Sequence, residues 1–294
     1  MNCVQCPRRC GADRNVRPGF CGVPEELRLA RAALHPWEEP CLSGKNGSGT
    51  LFFCGCNLRC VFCQNREISH GALSGTPVSP GQLKDLMLRL RDEGACNINL
   101  VTPTHYAEAL IPVLQEIRPS LGIPVVYNCG GYESTDTLKK LEGLIDIYLP
   151  DIKYYSAELS GKYSSAPDYY PIALNALREM LRQTGTVQYA PDGSLLRGVI
   201  VRHLVLPGCR KDSVRLLNAL YDEFGNSAFL LSLMSQYTPE FAPADADKNL
   251  RRRLTDFEYS SVLSAVEALG FSGYFQRRDS AKTSYTPDFR EKTF

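Results

Sequence analysis

The chain holds 294 residues with a formal net charge of +1, so no global field recruits nucleic acid or an anionic membrane surface. No apolar run reaches the length of a membrane span. Twelve cysteines follow a start, Met1-Asn2-Cys3-Val4-Gln5-Cys6-Pro7, that lacks the basic and apolar regions of a secretory signal. That combination favours metal binding over disulfides and points to a cytoplasmic metalloprotein.

In chain order, the first feature is Cys3, Cys6, Cys10 and Cys21, with Arg8, Arg9, Arg14 and Arg17 among them. Four thiolates can close a site, either as tetrahedral zinc or as a fully ligated 4Fe-4S cluster, and the spacing does not separate the two. About 20 residues cannot build a core of their own, so this reads as a metal-stapled appendage. Leu27 to Gly49, with Pro36, Pro40 and a Ser/Gly-rich turn, reads as an irregular linker. The expected division is 1–48 as a cysteine-rich metal-binding extension and linker, and 49–294 as one barrel-sized domain.

From Thr50 strands and helices alternate. Strands are expected at Thr50 to Phe53, Asn97 to Val101, Ile123 to Tyr127, Ile145 to Leu149, Gly198 to Leu206 and Ala228 to Met234. Between them, Ser79 and Pro80 open a helix that Gly94 stops, Thr104 caps one running towards Ile117, and Ser134 or Thr135 caps the next. Asp168 to Gln183 is helical, Thr186 to Arg197 is a hairpin excursion, and Asp212 or Ser213 caps a further helix. Thr255 to Glu258 is a capping box for a helix ending at Gly270. Six strands with intervening helices predict a parallel α/β sheet with right-handed crossovers. Periodicity leaves an open doubly wound sheet and a partial barrel both standing.

The first of these strands runs into Phe53-Cys54-Gly55-Cys56-Asn57-Leu58-Arg59-Cys60-Val61-Phe62-Cys63. Cys56, Cys60 and Cys63 stand at Cys-x3-Cys-x2-Cys, and converging thiolates select an iron-sulfur cluster, zinc or Cu(I). Structural zinc usually pairs Cys-x2-Cys with a second, distant pair. A 4Fe-4S cluster takes four cysteines, so three leave one iron open to a reacting ligand. In parallel α/β folds sites form after the carboxyl ends of strands. Those ends carry Thr102, Thr104 and His105, then Asn128, then Asp151 and Lys153, then Arg202 and finally Gln236. Cys41, Cys54, Cys96, Cys129 and Cys209 read as small buried hydrophobes.

With Phe62 before the third cysteine, this motif resembles that of the radical S-adenosylmethionine (radical SAM) superfamily. More narrowly, nearly the whole chain resembles the pyruvate formate-lyase activating enzyme-like iron-sulfur proteins. The resemblance implies a partial (β/α)6 TIM-like barrel with a cysteine-rich N-terminal extension. It implies a 4Fe-4S cluster at Cys56, Cys60 and Cys63, bound S-adenosylmethionine, and a reductant such as flavodoxin or ferredoxin. Asp151-Ile152-Lys153 matches the activating enzymes' Asp-Leu-Lys, with the lysine near the cofactor carboxylate, and Arg202 matches their strand-five arginine. Thr102 to His105 stand where those enzymes have a glycine-rich turn for the cofactor amino group, which is a departure. The remaining cofactor contacts fall to Phe62, Asn128 and Gln236. The implied reaction is hydrogen-atom abstraction, with a glycyl-radical protein as substrate and no acid or base assigned. Modification of a peptide or small molecule is the alternative enzyme reading, and a non-catalytic electron-transfer or zinc protein the alternative of another class.

Overall fold

The computed structural model describes residues 2–276, 286–291 and 293–294. Its strands are β1 (Arg28–His35), β2 (Ser48–Phe53), β3 (Thr76–Pro77), β4 (Ile98–Val101), β5 (Val125–Cys129), β6 (Ile147–Pro150), β7 (Gln188–Tyr189), β8 (Leu195–Leu204), β9 (Leu230–Met234) and β10 (Gly273–Phe275). In space they run β10-β9-β8-β6-β5-β4-β2-β1-β3, with β7 hairpinned onto β8. From β2 to β10 every neighbouring pair on this path is parallel. The six expected strands are thus β2, β4, β5, β6, β8 and β9, lying side by side as a partial barrel. β10 extends the same sense by three residues.

Every residue of β2, β4 and β6 is buried, as expected for parallel strands covered on both faces. Two helix starts follow their local chemistry. Ser79 and Gln82 form a reciprocal capping box at helix Pro80–Asp92, and Thr255 and Glu258 form one at helix Asp256–Leu269. The next helix after β4 is Ala107–Leu121, preceded by a 3-10 turn over Thr104–Tyr106, so Thr104 does not cap it. Helix Ala157–Ser164, absent from the sequence reading, packs against helix Tyr169–Thr184. Among the described residues no helix is long and apolar enough to cross a membrane.

The expected linker is corrected. β1 lies antiparallel to β2, with Leu29 opposite Phe53 and His35 opposite Ser48. Its sequence, Arg-Leu-Ala-Arg-Ala-Ala-Leu-His, is made largely of helix formers. Pairing at the open sheet edge and burial of Leu29 and Ala32 override that preference. Residues 28–48 therefore sit with the barrel sheet, and the separate N-terminal layer stops before β1.

Candidate active site

A cavity of about 300 Å³ opens at the carboxyl ends of the parallel strands. Cys56, Cys60, Phe62 and Cys63 from the loop after β2 face it. Thr102 after β4, Asn128 of β5, Asp151 and Lys153 after β6, Arg202 of β8 and Gln236 after β9 complete the predicted set that lines it.

The three thiols sit among hydrogen-bond donors. Leu58 N donates to Cys56 Sγ at 3.3 Å, Ser69 Oγ to Cys63 Sγ at 3.4 Å and Ser164 Oγ to Cys60 Sγ at 2.9 Å. Burial, then the Cys60 and Cys63 sulfurs, push the Cys56 thiol up to about 12. Burial and Cys60 raise Cys63 too, with Lys153 acting in the opposite sense. Cys56 and Cys63, so raised, ionise beside one another only against a cation, and a soft cationic core is what a set of thiol donors fits. Among the described residues no three Cys, His, Asp or Glu side chains converge to hold one metal ion. Phe62 packs edge-on against Tyr163 and Tyr237, with ring centroids 6.4 and 6.3 Å away, and gives the loop an apolar wall.

Lys153 Nζ lies 2.5 Å from Asp151 Oδ2. Burial opposes the ammonium charge, but Asp151 outweighs it and holds the group above the ordinary lysine range. The loop is fixed by Tyr169, which sequence reasoning did not single out. Its hydroxyl lies 2.8 Å from Gly130 O and 2.6 Å from Asp151 O and accepts from Lys153 N at 3.1 Å. Gly131, at φ 78°, is needed there, because a Cβ would collide with the Asp151 carbonyl oxygen.

Arg202 is held by two carboxylates that the sequence did not reveal. Its Nε donates to Glu39 Oε1 at 2.8 Å, and its Nη2 to Glu39 Oε2 at 2.6 Å and to Glu38 Oε2. Asn99 Nδ2 also donates to Glu38, at 2.8 Å. Burial opposes the guanidinium charge, while Glu39 and then Glu38 hold it. Glu38 and Glu39 line the cavity beside Trp37, which is 57% exposed at its rim.

Two predicted residues do not line the cavity. Thr104 Oγ1 donates to Glu133 Oε1 at 2.7 Å, and His105 Nε2 bonds to Cys54 O at 2.7 Å. Burial drives the His105 ring down to about 3, so it is neutral. The 3-10 turn points both residues into the interior, which corrects the expected cofactor contacts. Thr102 remains in the wall with φ 59°, the left-handed conformation that glycine favours. The backbone thus takes a glycine-like turn where the resemblance places glycine. Thr102→Gly should relieve about 1–2 kcal/mol of strain and lose about 0.5–1 kcal/mol to chain entropy. Its urea midpoint should equal or slightly exceed that of the parent, whereas Thr102→Val gains nothing.

Glu133 is the buried carboxyl beneath this turn. Burial raises it to about 7 against hydrogen bonds from Thr104, Tyr127 and Cys129. Between pH 4.5 and 7 the unfolded chain then binds fewer protons than the fold, so stability falls as pH rises. At about 1.4 kcal/mol per unit, roughly 3 kcal/mol is lost across this window. Urea denaturation at pH 5 and pH 8 should show that loss, and Glu133→Gln should flatten it.

No protein-family model matches the chain. An uncharacterized protein of Methanocaldococcus jannaschii is 29% identical over 277 residues, covering 90% of this chain and 74% of the relative. Among solved structures, methylornithine synthase (PylB) superposes with a TM-score of 0.51 at 17% identity, over 72% of this chain and 59% of that one. The fold is that of the radical SAM enzymes. Streptococcus suis SuiB bound to the precursor peptide SuiA has a TM-score of 0.50 at 10% identity, over 76% of this chain and 46% of its own. A domain of pyruvate-formate lyase-activating enzyme from Bacteroides vulgatus reaches 0.40 at 12% identity, covering 58% of this chain and 92% of that one, too low to bear on the fold. The chain spans less than two thirds of the synthase and SuiB structures. The radical SAM fold accounts for the cavity's position at the strand ends.

Proposed function

We propose that this protein is a radical SAM enzyme that activates a glycyl-radical protein. The observation that carries the first half is the meeting of Cys56, Cys60 and Cys63 with Lys153, Asp151 and Arg202 in one cavity. A 4Fe-4S cluster on these three thiolates would supply the electron that cleaves S-adenosylmethionine to methionine and a 5′-deoxyadenosyl radical.

The chain's own residues bind and orient. Lys153, held charged by Asp151, offers an ammonium to the cofactor carboxylate. Thr102 presents backbone of glycine-like geometry to the amino group. Asn128 and Gln236 supply polar contacts, the latter steadied by Gln276 Nε2 at 2.8 Å. Phe62 with Tyr163 and Tyr237 excludes water from the cluster side. None of these steps requires an acid or base.

For the substrate, the resemblance to activating enzymes favours a backbone glycine of a partner protein. The rim supports a chain substrate, since exposed Trp37 and half-buried His35 and Phe241 border the opening. An extended backbone threads such an opening with its side chains on the aromatic rim. Modification of a shorter peptide is the second reading, in keeping with SuiB having been solved with its precursor peptide.

Anaerobically reconstituted protein, given dithionite and S-adenosylmethionine, should form 5′-deoxyadenosine. With a glycyl-radical protein as partner it should also generate the partner's glycyl-radical signal by electron paramagnetic resonance. Cofactor cleavage with a modified peptide product and no such signal would move the assignment to the second reading. Absence of 5′-deoxyadenosine would overturn both.

A further inference from the structure

The loop that carries Cys56, Cys60 and Cys63 is gripped from two sides. One is the N-terminal layer, whose four cysteines do not line the cavity. Cys10 is exposed, Cys3 is half-buried, and Cys6 and Cys21 are buried. The layer reaches the loop where Cys56 N donates to Cys21 O at 3.2 Å. Gly55 permits that approach, because a Cβ there would lie 2.8 Å from the Cys21 carbonyl oxygen. The other side is the carboxyl end of helix Ala157–Ser164, which closes on Ser165 at φ 51°.

The last carbonyls of a helix have no partner within it and take donors from elsewhere. Here the loop and the layer supply them. Val61 N donates to Tyr163 O at 2.9 Å. The terminal nitrogens of Arg8 donate to Ser164 O at 2.9 Å and to Ser165 O, while its Nε donates to Asn57 O at 2.8 Å. A guanidinium also suits the negative end of the helix dipole, and the rings of Phe20 and Tyr132 lie 4.0 and 5.1 Å from its central carbon. Loop, layer and helix end are therefore locked to one another around Ser164.

That lock sets a side chain against a ligand. Ser164 is buried, and its Oγ donates to Cys60 Sγ at 2.9 Å while lying 2.8 Å from the hydroxyl of buried Tyr154. A hydroxyl has one hydrogen to give. With that of Ser164 on the sulfur, Tyr154 is the donor to Ser164 Oγ, and both hydroxyls point in sequence at Cys60. Ser69 offers a contrast, since its Oγ stands 3.4 Å from Cys63 Sγ and has a rival partner in His70 Nδ1 at 2.9 Å.

We propose that the hydroxyls of Tyr154 and Ser164, lined up on Cys60 Sγ, set the reduction potential of the iron-sulfur centre held by Cys56, Cys60 and Cys63. This inference rests on the cluster reading of those three thiolates. Reduction by a low-potential one-electron donor adds one negative charge to the centre and its sulfurs, with no bond made or broken. A hydrogen aimed at a thiolate sulfur is worth more after that charge arrives, so it raises the potential. Away from water the effect of one donor is larger, and a second donor behind it polarises the first. Ser164 acts through Cys60 and is thus a positioning residue, not a catalytic one.

The test titrates the anaerobically reconstituted protein against applied potential. Ser164→Ala should keep its iron and lower the ratio of reduced to oxidised centre about tenfold at a fixed poise, a downward shift of about 59 mV. An exchangeable proton coupled to the reduced centre in electron-nuclear double resonance should disappear with it. Tyr154→Phe should keep that proton and lower the ratio up to about twofold, because chained hydrogen bonds strengthen one another by roughly 10–30%. Ser69→Ala should move the ratio less than Ser164→Ala does. Should Ser164→Ala lose its iron, the shift in Tyr154→Phe decides the question. An unmoved potential in the deciding variant, or a shift in Ser164→Ala with the coupled proton retained, would overturn the proposal. Parent protein that takes up no iron-sulfur centre would overturn the cluster reading, and the proposal with it.

Discussion

The triple variant Cys56→Ala, Cys60→Ala, Cys63→Ala is expected to lose the iron held at the cavity and to form no 5′-deoxyadenosine above background. The three sulfurs share one cavity wall and their charges are mutually unfavourable without a cation, so removing them removes the centre and not a contributor to it. The fold should survive, because these side chains end at the cavity and the sheet beneath is built from β2, β4 and β5. Cys54→Ala is the control. Cys54 is fully buried near Leu29 and Gly75, away from the cavity, so it should cost no more than about 1–2 kcal/mol of stability and keep iron and activity. Iron retained by the triple variant, or lost by the control, would show that the loop does not hold the cluster in this way. The two variants therefore separate ligation from packing within one stretch of chain, Cys54 to Cys63.

What was legible in the sequence was local or periodic. The parallel strands β2, β4, β5, β6 and β9 are short apolar runs, and two of the helices begin at caps whose chemistry is written in adjacent residues, at Ser79 with Gln82 and Thr255 with Glu258. The parallel order places every strand end on one side, so the chemistry at those ends converges once the topology is granted. β1 was illegible because its residues prefer a helix and only the neighbouring edge of β2 makes it a strand. Glu38 and Glu39 were illegible because their partner Arg202 lies 163 residues from Glu39, and nothing near them demands a cation. Thr104 and His105 misled for a different reason. They follow a strand end, but the left-handed backbone at Thr102 and the 3-10 turn carry both side chains past the cavity into the interior.

Arg202 carries the second large effect. Its Nε and Nη2 are taken by Glu39 and Glu38, and among the described residues Nη1 makes no hydrogen bond to protein. The guanidinium therefore does two things: it neutralises two buried carboxylates and leaves one donor for a ligand's anionic group. Arg202→Met strands both glutamates, and breaking a buried pair typically costs about 3–5 kcal/mol. Adding Glu38→Gln and Glu39→Gln to it removes the stranded charges, so most of that stability should return in urea denaturation. Affinity for S-adenosylmethionine should not return, since a charge-assisted hydrogen bond is worth about 1.5–3 kcal/mol, equivalent to a roughly tenfold to hundredfold weaker dissociation constant. Calorimetry on the reconstituted triple variant measures this directly. Recovered stability together with parental affinity would make Arg202 a buttress of the barrel alone. Stability recovered without affinity would place its third nitrogen on the cofactor, and the acidic pair from the β1 segment would then be what holds that nitrogen in position.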